Sequence, residues 1–219
     1  GQKEYSLPTD YRSVDFESFY LVPTELVTNS TFDSNITNWS TVSGSPAYNS
    51  GGNGRLRLNA AAASASLSTV KNKEYRVQVR VMDTSSGSSS LKVQVGTSAA
   101  GTQNLNTTVT VTDFGNGKIL DTKFTATAST THITLDNDDS NNLDVDFVKI
   151  SEDILPKKLT YITYDDYRRR FLSTAQTNSS DHYGTPDVVF LTQDDKFGLY
   201  PVPDSDGYTT NYEYWKTHS

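Results

Sequence analysis

Residues 75–81 read Tyr75-Arg76-Val77-Gln78-Val79-Arg80-Val81. Valine takes every second place, and Arg, Gln and Arg fill the places between. Side chains of an extended chain point alternately to opposite faces, so the stretch makes a strand with one apolar and one polar face. A helix would scatter the same valines around its circumference. The rhythm recurs on both sides. Upstream stands Arg55-Leu56-Arg57-Leu58. Downstream come Leu91-Lys92-Val93-Gln94-Val95, Thr107-Thr108-Val109-Thr110-Val111, Ile133-Thr134-Leu135 and Leu143-Asp144-Val145-Asp146-Phe147-Val148-Lys149-Ile150. Gly, Ser and Asn turns divide them. Half-buried strands at this spacing predict a mainly β fold, an antiparallel β-sandwich. Ala60–Ala65 fits a helical turn or a small-residue strand equally well.

Composition sets limits to this sandwich. From Thr28 to Asp153 the chain is rich in Ser, Thr, Asn and Val, with no proline after Pro46. The flanks are aromatic and charged. This contrast predicts two domains: residues 28–153 as an inserted sandwich, and residues 1–27 with 154–219 as a discontinuous, small β-rich domain carrying one short helix. In the first flank, Val14-Asp15-Phe16 and Phe19-Tyr20-Leu21-Val22 predict two strands with a turn at Glu17-Ser18. In the second, Thr163 to Leu172 reads as the helix. Thr163 caps it, Asp165 and Asp166 fill its first turn, and Arg168-Arg169-Arg170 follow where the macrodipole favours cations. Val188–Leu191 and Phe197–Tyr200 predict a hairpin, and Tyr208–Trp215 a last strand.

Whole-chain properties exclude several classes. A net charge of −7 without a Lys/Arg-rich run argues against a groove that neutralises phosphates, hence against sequence-specific nucleic-acid binding. There are 0 cysteines, so neither disulfides nor thiolate metal sites arise. No apolar run approaches the roughly 20 residues of a membrane span. The chain opens on Gly1 rather than Met, as expected of a processed or partial piece of a longer polypeptide. Aromatic residues make up 11%, with 13 Tyr and 9 Phe, enough to expect a folded core from a 34% hydrophobic chain. The histidines, His132, His182 and His218, form no paired metal motif. No nucleophile elbow, phosphate loop or dinucleotide fingerprint occurs. The expectation is a protein that is not an enzyme.

Two resemblances give these pieces a meaning. The flanks carry Tyr5-x-Leu7-Pro8-x-Asp10, then Gly184-Thr185-Pro186 and Leu199-Tyr200-Pro201-Val202-Pro203-Asp204. In that order they resemble the β-portion of phage head-to-tail connector adaptors, the group that includes tubular tail protein A of podoviruses. The resemblance implies a virion structural protein at the head–tail junction, assembled as a homo-oligomeric ring against portal and tail proteins. The helical bundle usual before the first motif is lacking here.

The insert carries Asn29-Ser30-Thr31-Phe32-Asp33, then Trp39, and ends on Val145-Asp146-Phe147-Val148-Lys149-Ile150. It is similar to the carbohydrate-binding-module jelly roll appended to xylanases. That likeness implies a structural calcium ion held by Asp33 and Asp146, which tie first strand to last. It also implies a glycan ligand stacked on exposed aromatics. Phe32 and Trp39 stand at core positions, and Tyr75, Phe124 and Phe147 lie on strands. Tyr48 and Phe114, beside Gly-rich loops, are the candidate stacking residues. The insert then acts either as an outward decoration on a connector or, alternatively, as the functional part of a carbohydrate-binding protein that attaches to host or environmental glycans. A tail hydrolase is the remaining class.

Overall fold

A strand with one dry face is stable only when a second layer covers that face, and a computed structural model shows how this chain supplies it. The structure describes residues 4–51, 54–83, 88–112, 117–172, 182–192, 196–204 and 207–216. The chain divides into two compact units. Unit 1 is Gly1–Thr24 with Ile154–Ser219, and unit 2 is Glu25–Asp153. The first boundary precedes Val27 because the Leu26 N–H already donates to Ile150 O at 2.8 Å, inside unit 2.

In chain order, β1 (Glu4–Ser6) and β2 (Tyr11–Pro23) open unit 1. Unit 2 runs through β3 (Ser40–Ser43), β4 (Ala47–Asn49), β5 (Arg55–Leu58), β6 (Ala61–Ser68) and β7 (Glu74–Asp83). It continues with β8 (Ser89–Gly96), β9 (Leu105–Val111), β10 (Lys118–Thr125), β11 (Thr130–Asn137) and β12 (Leu143–Glu152). Unit 1 resumes with β13 (Lys157–Lys158), β14 (Thr160–Ile162), helix α1 (Tyr164–Tyr167), β15 (Tyr183–Gly184) and β16 (Val188–Leu191). It ends on β17 (Lys196–Tyr200), β18 (Val202–Pro203) and β19 (Tyr208–Lys216).

Unit 2 is a jelly-roll β-sandwich of two five-stranded sheets, ordered β10-β7-β12-β5-β4 and β3-β6-β11-β8-β9. The chain crosses between layers as it proceeds, so each sheet is assembled from distant pieces. Every pairing in both sheets is antiparallel. The apolar row of β7, Val77, Val79 and Val81, lies in a core with Leu56 and Leu58 of β5 and Leu143, Val145, Val148 and Ile150 of β12. The facing sheet supplies Ala63, Leu67, Leu91, Val93, Val95, Ile133 and Leu135. Val145 and Val148 both face inward although three places apart. A bulge between Val145 and Phe147 absorbs the odd residue and turns Asp146 away from the core. The alanine run is a strand, β6, with Ala61, Ala63 and Ala65 buried. Phe32 packs on Trp39 with ring centres 5.4 Å apart, and Tyr75 stacks on Phe124 at 5.4 Å. All four are core residues.

Unit 1 holds a four-stranded sheet, β1-β17-β16-β14, a three-stranded sheet, β13-β2-β19, and the short pair β15-β18. Both flanks enter each of the larger sheets: β1 pairs with β17, and β2 with β19 and β13. Phe19, Leu21, Leu159, Val189, Phe197 and Leu199 are buried together. Phe19 lies flat on Tyr212 at 4.7 Å and edge-on to Phe197 at 5.3 Å, geometries that suit the ring quadrupoles. The β16–β17 hairpin forms as the sequence predicts.

Two expectations for unit 1 need correction. Glu17-Ser18 is no chain-reversing turn but an irregularity inside the single strand β2. Ser18 Oγ donates to Asp15 O at 2.6 Å, and the Glu17 N–H to Asp15 Oδ1 at 2.9 Å. Local side-chain bonds thus satisfy the backbone and kink the strand without breaking it. The helix, too, is shorter than Thr163–Leu172. Only Tyr164–Tyr167 is α-helical, and Arg168–Leu172 widens into a π-helical turn. Thr163 does cap it, accepting from the Asp166 N–H at 3.2 Å. The wider turn accompanies stacking of Tyr167 on Phe190 at 3.8 Å and of Phe171 on Tyr200 at 4.1 Å. Among the described residues no helix is long and apolar enough to cross a membrane.

Candidate functional site

The outward face of the sheet formed by β4, β5, β12 and β7 carries a set of polar groups fixed by one another. In an antiparallel pair, residues directly opposite share a face. Asn49 stands opposite Arg55, and Arg57 opposite Asp144. Across β12, the bulge sets Asp146 between Arg55 on one side and Arg80 on the other. Arg55-Leu56-Arg57-Leu58 therefore buries its leucines and turns both arginines to this face.

Asp144 is the hub. Its carboxylate accepts from Asn49 Nδ2 at 2.6 Å, from Arg57 Nε at 2.8 Å and from Arg57 Nη2 at 3.1 Å. Arg55 Nη1 lies 4.0 Å away. Asp146 is flanked by Arg55 Nε at 3.7 Å and Arg80 Nη1 at 3.3 Å. Asp144 lies deepest, and Arg57 and Arg80 are the most exposed of the five. The side chains of Asp144 and Asp146 are 0% and 24% exposed, those of Arg55, Arg57 and Arg80 21%, 33% and 43%. The hydrogen bond to Asp144 holds the Arg57 guanidinium even more firmly protonated than usual. Arg55 Nε is buried and has no hydrogen-bond acceptor.

Further along the face the charges close on themselves. Arg76 donates to Asp121 through Nε at 2.8 Å and Nη2 at 2.5 Å, and Gln78 adds a bond at 3.0 Å. The Arg76 bond, then that from Gln78, lowers the Asp121 carboxyl to about 2. Lys123 pairs with Asp153 and Glu74. At the start of unit 2, Glu25 Oε1 accepts from the Val27 and Ile150 N–H groups at 2.8 and 2.9 Å. Burial pushes its carboxyl up, against the pull of those donors.

The sequence-derived site residues fall as follows. Tyr48 is 36% exposed, yet it stands opposite Leu56, on the core side of the sheet, and its hydroxyl donates to Asp33 O at 3.0 Å. It is a rim residue with its polar end engaged. Phe114 lies outside the described residues. Asp33 is exposed, and what it offers Tyr48 is its backbone carbonyl. Calcium takes six to eight oxygen ligands. Both oxygens of Asp146 face guanidinium groups, and among the described residues no group of three His, Cys, Asp or Glu could hold a metal ion. As placed, Asp33 and Asp146 do not fit a calcium site. Arg55, Arg57, Arg80, Asn49 and Asp144 were missed as a group. Their alternation marks them as outward, but Arg57 and Asp144 stand 87 residues apart in the chain.

No family model matches the chain, and no curated protein matches it. Solved structures do. The CBM22-1 xylan-binding domain of Xyn10C from Paenibacillus barcinonensis is 17% identical with a TM-score of 0.48, over 59% of this chain and 95% of that one. TmCBM61 in complex with β-1,4-galactotriose is 12% identical with a TM-score of 0.46, over 59% and 99%. The carbohydrate-binding module CBM36 in complex with calcium and xylotriose is 18% identical with a TM-score of 0.43, over 54% and 98%. These neighbours are carbohydrate-binding-module jelly rolls. None of these three supports the connector resemblance of the flanks.

Proposed function

We propose that this chain is a non-catalytic glycan-binding protein, with unit 2 as the binding module and unit 1 as its attachment. One observation carries the reading: the outward face of β4, β5, β12 and β7 presents hydrogen-bonding side chains already locked by one another. Asn49, Arg57 and Asp144 hold their positions through bonds of 2.6 to 3.1 Å. Groups so fixed lose little rotamer freedom when a ligand arrives, which leaves more of the contact energy for binding. The run from Asn29 to Asp33, Trp39 and the last strand from Val145 to Ile150 support it from the sequence side. Affinity electrophoresis of the full chain through gels cast with soluble polysaccharides tests it. Retardation by at least one polysaccharide is expected; unchanged mobility in all of them rejects the reading.

A second reading rests on unit 1, whose sheets need both flanks, as β2 with β19 and β1 with β17. In it the chain is a connector-ring subunit in a virion, meeting portal and tail proteins and carrying unit 2 as a decoration. Mass from light scattering separates the two: a large closed oligomer favours the ring, a monomer rejects it.

A further inference from the structure

We infer that the ligand of this face is an anionic glycan whose charge is carboxylate, a uronic-acid polymer; this rests on the glycan-binding reading above. The first ground is the vertical order of charge. Asp144 lies buried at the base of the cluster while Arg57 and Arg80 are its most exposed charges, so an approaching molecule meets these two cations first. At this end of the sheet Arg55, Arg57 and Arg80 face Asp144 and Asp146. The excess is local, because Arg76, Lys123, Asp121, Glu74 and Asp153 compensate one another at the other end. It stands out on a chain of net charge −7.

The second ground is what the cations leave unspent. Arg57 gives Nε and Nη2 to Asp144 and Arg80 pairs through Nη1 with Asp146, so each guanidinium keeps further N–H donors, while Arg55 Nε is turned to Asp146 Oδ1 at 3.7 Å. Guanidinium forks match the planar, two-oxygen carboxylate better than an ammonium does.

The third ground is the shortage of stacking surface. Phe32, Trp39, Tyr75 and Phe124 are in the core, and Tyr48 lies on the core side. Phe147 is half-buried beside Arg80 in the register, with Lys149 Nζ 5.1 Å from its ring centre. A neutral sugar chain finds little flat aromatic area here among the described residues, whereas a charged one finds ion pairs.

The test compares polygalacturonate with its fully methyl-esterified form, which keeps the backbone and removes the charge, and with xylan, dextran sulfate and double-stranded DNA. Binding of the full chain is followed by affinity electrophoresis and calorimetry. Expected is binding of polygalacturonate that is lost on esterification and declines as salt rises. Arg80→Gln, which leaves Asp146 beside Arg55, should weaken binding about tenfold or more, the weight of one charge-assisted hydrogen bond. Unchanged tryptophan emission shows that this variant is folded. Equal binding of the esterified polymer, or binding of xylan alone, overturns the inference and leaves glycan binding standing. Equal binding of dextran sulfate or DNA also overturns it, as plain polyanion exchange. Binding unaltered by both Arg80→Gln and Arg57→Gln removes this face from the site. Failure to bind any polysaccharide sinks the parent reading with it.

Discussion

Asp144→Asn isolates the hub of the outward face. The carboxylate is fully buried and accepts three bonds, from Asn49 and twice from Arg57. An asparagine keeps the shape but loses the charge, and its amide NH2 must point at one of those donors. Breaking a buried ion pair costs about 3–5 kcal/mol when the orphaned charge cannot reach water. Here Arg57 is one-third exposed and can recover some solvent, so about 2–3 kcal/mol of unit 2 stability should go. The chain offers a clean reporter. Of its 2 tryptophans, Trp39 is 7% exposed in unit 2 and Trp215 is 59% exposed in unit 1. In a Trp215→Phe background, urea unfolding followed by fluorescence reads unit 2 alone. The midpoint should fall with the slope unchanged, and adding Arg57→Leu should return part of the loss. A loss below about 1 kcal/mol would mean that the hub is a surface ion pair in all but position.

Three further outcomes follow from the same geometry. Asp121 has a carboxyl lowered to about 2, below its unfolded value, so its pairing with Arg76 stabilises unit 2 above the unfolded value and is lost as pH falls towards 2. Asp121→Asn should flatten that part of the acid unfolding curve and, because the pair is exposed, change neutral stability by no more than about 1 kcal/mol; an unaltered acid limb counts against the pairing. Millimolar calcium, or its removal with EDTA, should move the melting midpoint by less than about 1 °C, since an ion that does not bind the native state cannot stabilise it; a rise of several degrees would reinstate Asp33 and Asp146 as ligands. Deleting residues 25–153 and joining Thr24 to Ile154 by a short linker should leave unit 1 folded, because Lys157 pairs with Leu21 and holds the two cut ends near each other. Circular dichroism without β signal from that protein would refute it.

Period-two patterning was enough to find β5, β7, β8, β9, β11 and β12, since each sets apolar residues on its core face and polar ones on the other. It failed where burial did not alternate visibly. In β10, Ile119 is exposed on the same strand that buries Phe124. The small residues of β6 fit either period. The pairing of β14 with β16 is parallel, and no local turn signals such a partner. For the site, the sequence says that Arg55 and Arg57 face outward, but not that the fold carries Asp144 between β5 and β7 to meet them. For Tyr48 the exposure was legible and the neighbours were not. A tyrosine among Ser and Gly looks free until the register sets it opposite Leu56. Facing is local information; adjacency across strands is not.

The closure of unit 1 by its two flanks has a mechanical consequence. Strand β2 runs against β19 from Tyr11 beside Lys216 to Pro23 beside Tyr208, and the Thr24 N–H extends the seam by donating to Gly207 O at 2.9 Å. Tension applied through the outer ends of these two strands would open the seam like a zip, one rung after another from the Lys216 end. The last rung to open is the one at Thr24, where unit 1 ends its first segment. The return of the chain to its own beginning makes that seam the part of unit 1 that such a load meets first.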